Sequence, residues 1–247
     1  MKTQGNTILI TGATRGIGLA LMKKFYSLNN EIIAVGRDQN SLIQLQKDFP
    51  KISVIQCDLS NSKSIKNLTS QIAEKHPSLN TLINNAGIQV NFYEEPFGTN
   101  QELWSDVERE IKVNLTSPIQ LCFELIPILL KNKNASIVNV TSGLAFAPKK
   151  SAPVYCGTKS GIHIFSKALR YQYEDSGLKV FEIIPPLVDT DMTKGRGKGK
   201  ITPGQLADEF LIAFKNNTFE VNIGKVKLLR ILKRILPSVA DNMLKNG

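Results

Sequence analysis

Apolar residues in this chain fall into short, nearly unbroken runs separated by amphipathic stretches. The runs are TILIT (7–11), EIIAV (31–35), SVIQC (53–57), TLINN (81–85), SIVNV (136–140) and KVFEII (179–184). They are rich in Val and Ile and lack clean alternation, as expected of strands covered on both faces. Between them, segments 17–28, 62–75, 102–131 and 155–175 carry helical periodicity. Strand–helix alternation predicts an α/β, doubly wound Rossmann fold. Its parallel sheet should have about seven strands with helices on both faces, the last strand lying near EVNIG (220–224). The 247 residues fit one large domain, 1–247.

Composition adds little to that frame, except through charge. Hydrophobic residues make up 42% and charged residues 21%, ordinary globular usage. Lys and Arg exceed Asp and Glu by 31 to 21, a net charge of +10, which attracts phosphates or anionic surfaces. No nucleic-acid motif accompanies it. Cys57, Cys122 and Cys156 are far apart and odd in number, and His76 and His163 are isolated. No metal site is expected, and reduced thiols point to the cytoplasm. No apolar stretch is long enough to span a membrane, and the N-terminal run is too short for a signal sequence.

The first strand runs into TGATRGIG (11–18), with Gly12 at the turn and Gly16 and Gly18 opening the next helix. Glycines there permit a tight turn and close approach to a pyrophosphate, and the helix start offers free N–H groups. An ordinary glycine-rich turn is the plain alternative; strand before and helix after favour a dinucleotide. Further on, YCGTK (155–159) places Tyr155 four residues before Lys159. On a helix the two share one face. They are either a surface pair or a proton donor with the cation that tunes it.

The spacing T-G-x-x-x-G-x-G resembles that of the short-chain dehydrogenase/reductase family. Other marks of the family follow in order: NNAG (84–87), Asn114 in KVNLTSP, Ser142 in VTSG, the Tyr155–Lys159 pair, and PPLVDT (185–190). The resemblance covers residues 5 to 192. It implies Tyr155 as general acid/base with Lys159, Ser142 and Asn114 as its partners. Lys159 would lower the phenol's pKa and hold the nicotinamide ribose, Ser142 would steady the reacting oxygen, and Asn114 would hold a relay water. A turn serine and a helix asparagine satisfying backbone are the plain alternatives for the last two. The resemblance also implies cofactor contacts from Gly12, Thr14, Arg15, Gly16, Ile17, Gly18, Arg37, Asp58, Leu59, Asn85, Ala86, Gly87, Tyr155, Lys159, Pro185, Val188 and Thr190. Pro186 departs from the family's usual glycine.

NADP is the cofactor expected. An acid ending the second strand would repel a 2′-phosphate, but AVGRD has Gly36 there, followed by Arg37, and Arg15 is a second cation. Asp38 reads as part of the turn. The expected function is hydride transfer between NADP(H) and a carbonyl or alcohol substrate. A non-catalytic dinucleotide sensor, or a peripheral membrane protein on the same fold, is the alternative.

Residues 191–215 stand where the family carries its substrate lid, and DMTKGRGKGK (191–200) reads as a mobile loop or a seat for an anionic substrate. Leu144, Phe146 and GIQVNF (87–92) are expected to make mainly apolar pocket walls. The family resemblance implies a homodimer or homotetramer, joined through 102–131 and the helix starting near Tyr155.

Residues 225–247 form a basic C-terminal extension. In KVKLLRILKRIL (225–236), Leu228, Leu229, Ile231, Leu232, Ile235 and Leu236 are expected on one helix side, with Lys227, Arg230, Lys233 and Arg234 opposite. The apolar side should be buried against protein, within its own chain or across a subunit boundary, with an anionic membrane surface as the alternative. The tail resembles a bacterial subgroup named after the lipoteichoic-acid D-alanylation operon.

Overall fold

The structure, a computed structural model, describes residues 1–246. Its seven strands are β1 (Thr7–Thr11), β2 (Glu31–Gly36), β3 (Ser53–Gln56), β4 (Thr81–Asn84), β5 (Ser136–Val140), β6 (Lys179–Ile184) and β7 (Glu220–Asn222). They pair in parallel throughout, in the order β3-β2-β1-β4-β5-β6-β7. The order reverses between β1 and β4, and doubly wound sheets bind ligands at the strand ends beside such a switch point.

Helices cover both faces. On one side lie α1 (Gly16–Tyr26), α2 (Gln39–Asp48) and α7 (Pro203–Lys215), around a core including Phe25, Phe181, Phe210 and Phe214. On the other lie α3 (Ser62–Lys75), α5 (Ser117–Leu129) and α6 (Pro153–Gln172), over Leu68, Ile72, Leu121, Leu125 and Leu169. Strands buried on both faces explain why their sequences do not alternate. Two helices stand beyond the periodic segments named above. Asp38, read as a turn residue, is the N-cap of α2, its carboxylate accepting from Ser41 N at 2.7 Å. Thr202 and Gln205 form a capping box at the start of α7. The supposed lid 191–215 is therefore a loop only to 202, because 203–215 is a core helix with Phe210 and Phe214 fully buried.

Segment 102–131 is not one helix. After α4 (Trp104–Ile111) the coil widens into a π-turn, Lys112–Thr116, before α5 begins. Such widenings favour functional positions, and this one carries Asn114.

The C-terminus is helical, as expected, and packs through part of its apolar side. Two helices, α8 (Val226–Ile235) and α9 (Pro237–Lys245), pack on the body through Leu229 and Ala240 against Ala147, with Leu232 and Leu244 partly covered. Leu228, Ile231, Ile235 and Leu236 are exposed, so the apolar side is divided rather than buried whole. Lys227 pairs with Glu209, Arg230 with Glu220 and Lys233 with Asp241. Arg230 also lies 4.5 Å over the Phe146 ring. Among the described residues no helix is long and apolar enough to cross a membrane.

Candidate active site

The glycine loop is shaped by what it must avoid. Gly12 and Gly16 take positive φ, +64° and +55°, values that glycine adopts readily. At Gly18 a Cβ would lie 2.1 Å from the Gly12 carbonyl oxygen and 2.4 Å from Asn85 Nδ2. No larger residue fits while the helix stays this close. Asn85 fixes the loop from behind, its Nδ2 donating to the carbonyls of Thr11 (2.9 Å) and Gly12 (3.1 Å). Thr11, which the sequence reading passed over as a strand end, accepts from the backbone N–H groups of Asn85 and Ala86 through one hydroxyl. On the far side, Thr190 caps a short 3₁₀ turn, and its methyl group faces Gly16. Pro185 O accepts from Gly143 N at 3.0 Å, and Val188 forms an isolated bridge with Ile201.

Around the adenosine end the surroundings are polar and open. Gly36 is buried, and Arg37 beside it is exposed. Asp58 Oδ1 accepts from Ser60 N (2.9 Å) and Ser60 Oγ (2.8 Å) in a turn preceding α3, and Leu59 is buried. Arg15 is the N-cap residue of α1. It reaches Asp191 at 3.6 Å, both side chains largely in solvent, a pairing too exposed to hold it. Thr14 has its methyl against Gly36, and Ile17 lies against the core.

The candidate catalytic groups come together from the end of β5 and the start of α6. Ser142, past the end of β5, accepts from Leu144 N at 3.1 Å. Tyr155 and Lys159 rise from the first turns of α6, the Lys159 ammonium 5.6 Å from the centroid of the Tyr155 ring. The Lys159 Nζ donates to Val140 O at 2.8 Å, which fixes it beneath the sheet edge. Gly87 stands opposite, where a Cβ would come within 3.4 Å of Asn114 Oδ1 and 3.6 Å of the Lys159 ammonium.

Asn114 is committed to backbone, as the plain alternative anticipates. Its Oδ1 accepts from Ile88 N (2.9 Å) and its Nδ2 donates to Ile88 O (2.8 Å). A cavity of about 10 Å³ lies against Asn114, Lys159 and Asn84, close to the room one water needs. Asn84 Oδ1 has no protein partner.

Electrostatics here oppose one expectation. Burial pushes the Tyr155 phenol up to about 12, more than its hydrogen bond with Ser142 and the Arg196 charge pull it down. Burial pushes Lys159 down to about 8, against the raising effect of Glu110 and Glu182. Desolvation outweighs the tuning cation, so the phenol keeps its proton at neutral pH.

The sequence reading missed Glu110. It is fully buried on α4, one helical turn before Asn114. Its Oε2 accepts from Val90 N at 3.0 Å and its Oε1 faces Asn114 Nδ2 at 3.5 Å. Its position on a charged amphipathic helix, among Glu102, Asp106 and Glu108, hid it. Burial raises its pKa to about 7, against the Val90 hydrogen bond and the Lys159 charge. The folded carboxyl thus holds its proton more tightly than the unfolded one. Its contribution to stability is full below the unfolded value of 4.5 and is lost as pH rises through about 7. Glu110→Gln, which keeps an acceptor for Val90, should gain melting temperature relative to wild type as the pH is raised from about 5 to 8. A difference in melting temperature that does not change with pH would contradict this.

Among the described residues no group of His, Cys, Asp and Glu is arranged for a metal. Phe146 lies between His163, 4.9 Å away, and Arg230.

Comparisons with known proteins bear on the whole arrangement. The family described as short chain dehydrogenase matches residues 6–200. The oxidoreductase DltE of Bacillus subtilis (strain 168) is 40% identical over 238 residues, covering 93% of this chain and 92% of that one. A crystal structure of a short chain dehydrogenase from Burkholderia cenocepacia J2315, in complex with NADP, superposes with TM-score 0.86 at 21% identity over 100% of both chains. One from Burkholderia phymatum, in complex with NAD, gives 0.81 at 18% identity, covering 95% of this chain and 96% of that one.

Proposed function

The chain belongs to the short-chain dehydrogenase family, and from that premise we propose that it is an NADP(H)-dependent carbonyl reductase. The observation that carries the reading is the meeting of Ser142, Tyr155 and Lys159 beside a glycine cradle with no room for side chains. When bound, the dinucleotide supplies the hydride. The chain's own part is to hold the carbonyl and deliver a proton. Ser142 positions the carbonyl oxygen, and Tyr155, protonated at neutral pH, donates to that oxygen as charge develops there. Lys159 holds the ribose and replenishes the proton, and Asn114, with the small cavity beside it, leads away from Lys159.

The cofactor residues are those of the cradle and the adenosine end: Gly12, Thr14, Arg15, Gly16, Ile17, Gly18, Arg37, Asp58, Leu59, Asn85, Ala86, Gly87, Pro185, Val188 and Thr190. NADP is preferred to NAD because Gly36 offers no acid and Arg37 is free in solvent. Solved relatives hold either cofactor. The three cysteines are free and buried, which fits a reducing cytoplasm. The test is a panel of aldehydes and ketones with NADPH oxidation followed optically. Failure to reduce any of a chemically broad panel would remove this reading.

The active protein is a homodimer or homotetramer. Phe123 on α5 and Ile164 and Tyr171 on α6 are 81%, 62% and 59% exposed, a large apolar display for one helical layer. Light scattering at micromolar concentration should give at least twice the monomer mass. Phe123→Lys with Ile164→Lys should reduce that mass while leaving the chain folded. A wild-type monomer would overturn the assignment.

A further inference from the structure

Lys149 is a buried cation that proton delivery, as described above, does not use. It lies in the loop between β5 and α6, six residues before Tyr155, and is 8% exposed. Its ammonium stands 5.7 Å over the Tyr93 ring. Among the described residues no carboxylate forms an ion pair with it. Burial depresses its pKa, and the charge of Arg196 acts in the same direction. A buried charge without a counter-charge is a standing cost to the fold.

Arg196 comes to the same place from the other side. It rises from the 191–200 loop and donates through Nη1 to Gln89 Oε1 (3.2 Å) and Asn91 Oδ1 (3.4 Å), and through Nη2 to Met192 O. All these partners are neutral. Cys156, next to Tyr155, donates through Sγ to Lys149 O at 3.9 Å, and Gln89, which holds Arg196, follows Ile88, the backbone partner of Asn114, so the cluster borders the candidate catalytic groups. A hydrogen bond from Phe92 N to Ser151 O, 2.7 Å, ties the Tyr93 loop to the Lys149 loop. The acids in the region are engaged elsewhere. Glu110 takes Val90 N, Asp191 meets Arg15, Asp189 meets Lys200 and Asp241 meets Lys233. Glu94 and Glu95 are exposed and pair with neither cation.

We infer that Lys149 and Arg196 seat an anionic group of the substrate, so that the enzyme reduces carbonyl compounds bearing a carboxylate or a phosphate. The anion sits between the two cations while the carbonyl lies at Tyr155 and Ser142. This rests on the reductase reading above. The guanidinium fork suits two oxygens of either anion, and the ammonium adds a point charge. The Tyr93 phenol oxygen is set towards both cations, accepting from them, and closes the seat.

The test uses wild type, Lys149→Met, Arg196→Met and the double variant. Each is assayed with NADPH on 3- and 4-carboxybenzaldehyde, their methyl esters and 4-formylphenyl phosphate. Wild type should favour at least one anionic aldehyde over the neutral esters by about tenfold in kcat/KM, and each substitution should cut that ratio by about tenfold, the scale of one charge-assisted hydrogen bond. The carboxylate and phosphate arms show which anion fits. Lys149→Met should melt no lower than wild type, because it removes an uncompensated buried charge. A lower melting temperature with an unchanged acid-to-ester ratio would make Lys149 structural and overturn the inference, as would equal kcat/KM for acids and esters.

In parallel, benzoate and phenyl phosphate are titrated against wild type and the double variant with NADPH present, read by thermal shift. Stabilisation by either anion that the double variant loses, with no aldehyde reduced, would support the anion seat and overturn the reductase reading. Reduction of esters without any anion effect would do the reverse. Neither reduction nor anion binding would overturn both.

Discussion

Phenylalanine at position 155 is expected to lower kcat for carbonyl reduction by about 10³-fold, within the range a positioned acid supplies. The ring can remain where it is, half-buried with Lys159 behind it. Only the hydroxyl is lost, and with it the donor to the carbonyl oxygen. NADPH binding should therefore stay within a few-fold of wild type, measured by titration. A variant with wild-type turnover on the best carbonyl would remove Tyr155 from the chemistry. Lys159→Ala should behave differently, losing rate and NADPH affinity together, because one ammonium is assigned both tasks. Lys159 carries its charge below about pH 8. Reduction should be faster on the acid side of that value than above it, while the phenol stays protonated on both sides.

Strand–helix alternation made the sheet legible, and the ordered motifs singled out Ser142, Tyr155 and Lys159 as candidates, because both are written in local spacing. Gly18 is a clear case, since its spacing in the loop reflects a clash that any Cβ would make with the Gly12 carbonyl. What stayed hidden depends on contacts far apart in sequence. Glu110 reads as one more charge on an exposed helix until the fold lays the Val90 backbone over it. The pKa of Tyr155 could not be read from its distance to Lys159 along a helix, because burial sets its direction. The π-turn at Asn114 has no periodic signature, being a local widening within an otherwise helical stretch. The tail's pairings were hidden for another reason. Its wheel shows one apolar side, but not that the cations opposite meet Glu209, Glu220 and Asp241. Ion pairs with acids on other elements do not appear in the periodicity of the helix itself.

Removing Arg15 and Arg37 together is expected to weaken NADPH binding by about 100-fold and NADH binding far less, since each charge-assisted contact to a phosphate is worth about 1.5 kcal/mol or more. Arg37 is exposed beside Gly36. Arg15 now leans towards Asp191, and that solvent-exposed pair at 3.6 Å is weak enough to give way to a 2′-phosphate. Asp38 cannot substitute for the absent acid, because its carboxylate caps α2 through Ser41 N. Converting the site to NADH is harder than removing the arginines. A Cβ at Gly36 would come within 3.1 Å of the Thr14 methyl and 3.2 Å of Leu42, so Gly36→Asp with Arg37→Ala should shift preference towards NADH only at a cost in melting temperature. Titration of the apo protein with each dinucleotide measures the preference directly, and tighter binding of NADH by the wild type would end the assignment. Salt supplies an independent check. An advantage of NADPH that comes from exposed cations on a phosphate must shrink as ionic strength rises, whereas one that came from shape would persist. The ratio of the two dissociation constants should therefore fall towards one between low and high salt in the wild type, and be nearly flat in the double variant.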